Sequence, residues 1–513
     1  MNSEDLYNAI TELPDAQVLE GERKLRRTGI RWVPWLSLAA VLAIVILGAV
    51  RFARRPSADP SQASSTDAVA SSAAKPTDAG PPAELLSYTL AGAEYPKMAP
   101  YAFHSDYIED GTGRLNQSAY RDALQKWMDS RMAMRSDADY TEGLDEYLRN
   151  AVPVLLSGAG TENRVVSPMN VYMALAMLSE TTAGESRQEL LTLLHAPDIQ
   201  TLRARANALW RANYSDDGRL TALLAASVWL RDDLKYDRQT VETLASNYYG
   251  SVFSGEMGSQ AYNQALQAWM NQQTKGLLSD QIQDIKTSAD TVLALITTVY
   301  FKAAWEGEFY RSVNLVFHAP TGEQDCDFML ESTLQDYYEG DGFAAAGKRL
   351  SGGSSMYFLL PEEGMDPEAL LENESVLDFL NGIVGRDATP HEQALVTMAI
   401  PEFDVSSQLD LIDKLNILGV TAVFDKYRAD FSPLVANDEN LISVDEAKHG
   451  ARILVDKKGV TGAAYTEIEP TYAGVPEDPL REVELMLDRP FLFVVTNEDG
   501  LPLFVGVVNS PKP

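Results

Sequence analysis

The sequence predicts an α+β domain with large antiparallel or mixed sheets, preceded by one transmembrane helix. Three observations carry this. A single uncharged apolar run spans Trp32 to Val50. In the rest of the chain, helical periodicities come mostly first and strand-like runs later. The apolar share of 45% and charged share of 23% are ordinary for a globular protein, and 513 residues suffice for a large core.

Residues 1–31 are amphipathic and increasingly basic, and are expected to be cytoplasmic. The run WVPWLSLAAVLAIVILGAV at 32–50 can cross a hydrocarbon layer of ~30 Å at ~1.5 Å per residue. Trp32 and Trp35 stand where interfacial anchors belong. A core helix would need packing partners, but polar low-complexity sequence follows at once. Arg23, Lys24, Arg26, Arg27 and Arg31 outnumber Arg51, Arg54 and Arg55 beyond the run. This bias places everything after Val50 outside the cell. Arginines, rather than small residues, follow the apolar run and argue for an uncleaved anchor.

Residues 51–84 collapse to Pro, Ser, Ala, Asp and Thr, a composition that cannot bury enough apolar surface to offset ordering, so a disordered linker is expected. Residues 85–141 read as an amino-terminal extension and 142–513 as the main domain. Within it, VYMALAMLSETTAGESRQELLTLL predicts two helices joined near Gly184. ADTVLALITTVYFKAAW, MYFLLP, LVTMAIPEF, ARILVDKKG, PFLFVVTNEDG and LPLFVGVV predict strands, with NEDG as hairpin punctuation.

The net charge of −32 excludes a nucleic-acid partner, which needs a basic face. Cys326 is the only cysteine, so internal disulfides are impossible and burial of the thiol is expected. The five histidines show no metal-ligand spacing, no G-x-S-x-G motif occurs, and no cofactor, metal or enzymatic activity is expected.

Four segments, in order, resemble the serpin family. NRVVSPMNVYMALAMLSE is similar to its Asn-x-x-x-Ser-Pro segment, and VYFKAAWEGEF to its Phe-Lys-x-x-Trp strand. IPEFDVSSQLDLIDKLNILGVTAVFDKYRADFSPL resembles the strand, helix and turn that follow, and RPFLFVVTNEDGLPLFVGVVNSP the carboxy-terminal hairpin. The similarity runs from about Asp145 to Pro511. It implies three β-sheets, about eight or nine helices and an exposed reactive-centre loop. It also implies a metastable monomer that traps serine or cysteine proteases by inserting its cleaved loop into the main sheet. The setting expected is a membrane-tethered inhibitor on a bacterial cell, facing extracellular proteases. The alternative is a non-inhibitory serpin that binds a partner or senses cleavage.

Gly459, Val460, Thr461, Gly462, Ala463, Ala464, Tyr465 and Thr466 resemble the loop hinge. From Val460 onward, alternate residues are small or apolar, the pattern of a strand with one buried face. Valine at 460 replaces the usual Thr or Ser, and Tyr465 a usual small residue. Counting forward from the hinge puts the scissile bond at Ala473–Gly474, beside Tyr472; counting back from the hairpin lands near Pro479 to Arg481. Asn163, Ser167, Trp305 and His449 match residues at the family's sheet-opening region, where Asn170 and Thr297 depart from the usual Ser and Asn. Glu402 and Lys457 reverse the family's usual Lys and Glu and are expected to pair there.

Overall fold

The computed structural model describes residues 83–512, apart from 110–112, 136–138, 308, 310, 436–441 and 462–480. The predicted membrane helix 32–50 and the loop residues Gly462 to Thr466, Tyr472, Ala473 and Gly474 lie outside the described residues, as does almost all of the linker 51–84. Among the described residues no helix is long and apolar enough to cross a membrane.

Two hydrogen-bonded sheets form the body. The first has the order β1 (Thr89–Ala91), β5 (Gly250–Gly255), β4 (Leu220–Arg231), β6 (Leu293–Ala304), β14 (Gly459–Val460), β13 (Val444–Asp456) and β12 (Phe403–Asp410), with β3 (Ser215–Asp216) on β4. The second runs β15 (Glu482–Met486), β11 (His391–Pro401), β8 (Gly322–Gly340), β9 (Phe343–Arg349), β10 (Ser355–Pro361), β16 (Phe491–Thr496), β17 (Pro502–Val508) and β2 (Arg164–Val166), with β7 (Arg311–Ala319) on β8. The three sheets implied by the resemblance are thus bonded as two. The 19-residue β8 pairs first with β7 and β11 and then, at its far end, with β9, so it belongs to both.

Ten helices of six or more residues lie among the described residues, against the eight or nine expected. Those that matter below are α1 (Gln117–Met134), α3 (Pro168–Thr181), α5 (Ile199–Asn213) and α7 (Gln260–Gln273). Every residue of α3 is buried, because the helix packs on β4 and β6 of one sheet and on β17 of the other. The Ser167–Pro168 pair starts it. The Ser167 hydroxyl accepts from Asn170 N–H at 3.3 Å, and proline fills the first turn where no donor is needed. Strands β4 and β6, covered on both faces, are apolar almost throughout rather than alternating.

The stretch from 85 to 141 folds onto this body. β1 adds an edge strand to β5, Tyr95 stacks on Trp210 of α5 at 5.3 Å, and its hydroxyl donates to Gln273 of α7. The Trp127 indole of α1 donates to the Asp217 carboxylate at 2.8 Å, and Arg131 pairs with Glu498 at 2.5 Å. Cys326 is buried in β8, and burial pushes its thiol up.

Candidate functional site

The expected hinge begins as a strand inside the first sheet. β13 ends at Asp456, the chain reverses through Lys457 and Lys458, and β14 returns between β13 and β6. Val460 faces Val455 on one side and Ala303 on the other, and is fully buried. The Asp456 carboxylate accepts from the N–H groups of Lys458 and Gly459, at 2.7 and 3.2 Å, and so holds the reversal. Gly459 sits at φ 154°, and a Cβ there would stand 2.2 Å from the Ala303 carbonyl oxygen. Only glycine fits so close to a backbone neighbour. Thr461 donates its N–H to Leu454 O at 2.6 Å and then turns out of the sheet at φ 57°, a left-handed conformation costly for a β-branched residue. Trp305 supports the reversal from the side. Its indole N–H donates to Asp456 O at 2.8 Å and its backbone N–H to Lys458 O at 3.1 Å.

Lower in the same seam, β6 and β13 pair directly and in parallel, up to Gly450 opposite Thr298. His449 holds this closure. Its Nε2 accepts from the Ser167 backbone N–H at 3.1 Å, which places the proton of the neutral ring on Nδ1, where it is donated to Thr297 Oγ1 at 2.8 Å. Burial lowers its pKa to about 4. Asn170 donates to Thr298 O at 2.7 Å, bracing β6 from below. Above this point, residues 451–453 of β13 and 299–302 of β6 pair neither with each other nor with β14. The Asn170 Oδ1 and Thr298 hydroxyl, both buried, find no hydrogen-bond partner among the described residues. The seam is therefore shut by His449 below, wedged by β14 above, and split between, which is the opening a further strand would fill.

Comparison with known proteins agrees with this arrangement. Residues 152–511 match the family model described as serpin (serine protease inhibitor). The chain belongs to the serpin family. It is 25% identical over 410 residues to alpha-1-antiproteinase F of Cavia porcellus, covering 75% of this chain and 94% of that protein. It is 28% identical over 371 residues to serpin-Z1C of Triticum aestivum, covering 69% and 91%. Among solved structures it resembles the native thermophilic serpin tengpin, with TM-score 0.64, 22% identity and coverage of 73% and 96%. It also resembles human thyroxine-binding globulin, with TM-score 0.63, 21% identity and coverage of 73% and 100%. At these identities the structural likeness speaks to the fold. Serpins are typically protease inhibitors rather than enzymes, although some are non-inhibitory.

Three residues expected at this serpin's sheet opening do not make the contacts expected of them. Asn163 does not join the His449 cluster. Its amide donates to Ser510 O and accepts from the N–H groups of Asn509 and Ser510, tying β2 to the carboxy-terminal stretch. Glu402 and Lys457 form no ion pair. Lys457 is exposed at the tip of the reversal, while Glu402 lies partly buried at the junction of β11 and β12. Burial first, then Asp456 and Asp327, push the Glu402 carboxyl up, with Lys457 a weaker opposing influence.

The far end of the loop is fixed differently. Arg481 O accepts from Leu395 N–H at 2.9 Å, and β15 continues in parallel along β11. The Arg481 guanidinium bonds both Glu339 oxygens at 2.9 Å and Glu392 at 2.6 Å. Sequence reasoning missed this clamp and the ion pair under Trp305 described below. Neither has a local signature, since their partners lie far apart along the chain.

Proposed function

We propose that this serpin is a suicide inhibitor of serine or cysteine proteases, held outside the cell by the membrane helix 32–50 and the linker that follows. The observation that carries the reading is β14, a two-residue strand already lodged between β6 and β13 above a stretch where those strands are unpaired. A loop cut on its far side has its first residues aligned in the slot it must fill. The target's nucleophile attacks the carbonyl of the scissile residue and expels the amine beyond it, leaving an acyl-enzyme. Insertion then carries that enzyme away before water completes hydrolysis.

The scissile bond is assigned to Ala473–Gly474, beside Tyr472, which suits an elastase-, subtilisin- or chymotrypsin-like target. Arg481 is instead the loop's exit anchor. Its carbonyl is bonded into the sheet and its side chain is bound to two carboxylates, so its bond is poorly presented to a protease. The arginine bias around 32–50 supports an outside location for the domain.

The test is to mix the full chain, in detergent, with elastase-, chymotrypsin-, trypsin-, subtilisin- and papain-like proteases and read denaturing gels with mass mapping. A denaturant-resistant complex and a released peptide beginning at Gly474 are expected. Cleavage without any complex across the panel moves the assignment to a non-inhibitory binding or sensing serpin.

A further inference from the structure

Beneath Trp305 lies a buried charge that neither the wedge nor the seam requires. Lys348, near the end of β9, is 6% exposed and is ion-paired with Glu331 of β8, itself 8% exposed. Replacing such a pair by apolar residues is often neutral or stabilising, so stability alone does not account for it. Its position does. The ammonium stands 4.6 Å from the Phe309 ring centroid and 6.0 Å from that of Trp305, and the two rings meet edge to face at 5.7 Å. The backbone reinforces this, because Glu306 N–H donates to Arg349 O at 2.9 Å and Leu350 bridges to Trp305. A cation held by a carboxylate against two aromatic rings keeps both from drifting. Trp305 in turn makes two hydrogen bonds to the reversal that seats Gly459.

We propose that Lys348, held in place by Glu331, is a positioning residue for loop insertion. Its contact with Phe309 and Trp305 fixes the indole, the indole fixes the Asp456–Gly459 reversal, and the reversal keeps β14 aligned as the nucleus from which the cleaved loop zips in. The role lies in speed. Insertion competes with hydrolysis of the acyl-enzyme, so a poorly aligned nucleus lets more inhibitor be consumed as substrate. The inference rests on the inhibitory reading above.

The experiment measures how many full-length inhibitor molecules are cut without trapping for each one that traps a protease. Lys348→Met/Glu331→Leu removes both charges and leaves no buried ion unpaired, so the chain still folds. The ratio is expected to rise roughly three- to thirty-fold, the range a desolvated cation–π contact supports. Lys348→Arg, which keeps a cation over the rings, is expected to keep the ratio near that of the native chain. The swap Lys348→Glu/Glu331→Lys keeps an ion pair but moves the cation away, and is expected not to. An unchanged ratio in the apolar double variant, with wild type trapping normally, overturns this inference alone. A wild-type chain that traps nothing, and gains no thermal stability when cut, overturns the inhibitory reading and this inference with it.

Discussion

Gly459 and Val460, where the loop enters the main sheet, are buried between two strands, whereas Arg481, where it leaves, is half-exposed and held by two carboxylates. The entry relies on close packing: a missing Cβ against Ala303, a valine with no exposed surface, and a threonine forced into a left-handed turn. The exit relies on backbone pairing with β11 and on screened surface charge. Close packing makes substitution costly, while surface ion pairs contribute little and are weakened by salt. An inserting loop must advance at the entry while its exit stays in place until the chain is cut. This difference in hold predicts that mutations at the entry act on trapping and mutations at the exit act on the uncut state.

The largest effect is expected from Gly459→Val. The new side chain would collide with backbone on β6, so the wedge must withdraw and insertion would begin from an unaligned loop. Inhibitor cut without trapping, per protease trapped, should rise at least about ten-fold, a difference of about 1.4 kcal/mol in the competition. A wild-type ratio would mean that β14 is not the nucleus. Next comes His449, which closes the seam below the entry. Folded, it titrates near 4; unfolded, near the ordinary value of 6.5. Between those pH values the unfolded chain binds a proton that the folded chain does not, so stability falls as pH drops from about 6.5 to about 4 and is level below. The loss amounts to about 3 kcal/mol, and a His449→Gln chain should lack it. Denaturant melts of both chains across that pH range measure the difference. The smallest effect is expected at the exit. Arg481→Gln should leave the trapping ratio unchanged and shift melting of the uncut chain by no more than about two degrees. It should also hasten spontaneous conversion of uncut chain to a heat-resistant form, followed on native gels. A changed trapping ratio would break the comparison.

Much of the fold could be read from local chemistry. Ser167–Pro168 announces the start of α3 because capping and the proline restriction act within one turn. Gly459 stands out because it precedes a run of small residues. The misreadings share a physical cause. The Glu402–Lys457 pair is expected because the two positions reverse the family's usual Lys and Glu, but a reversal at Lys457 turns one partner to solvent. Asn163 is four residues from Ser167, yet the short strand β2 separates their partners. The joining of the second and third sheets depends on β8 continuing without a break, which no residue pattern marks. The elements of region 85–141 leave no pattern in the sequence for a related reason. β1 has only three residues, too few for a period, and Tyr95 and Trp127 find partners on α5, α7 and the β3–β4 turn, far along the chain.

The most direct test of the account is to cut the full chain once within 462–480 with a protease it does not trap, confirm the site by mass, and melt it beside uncut chain. If the loop fills the split between β6 and β13, roughly ten inserted residues at about 1 kcal/mol each should raise the melting temperature by about ten degrees or more. A cut chain that melts at or below the uncut one would contradict insertion, and with it the trapping mechanism.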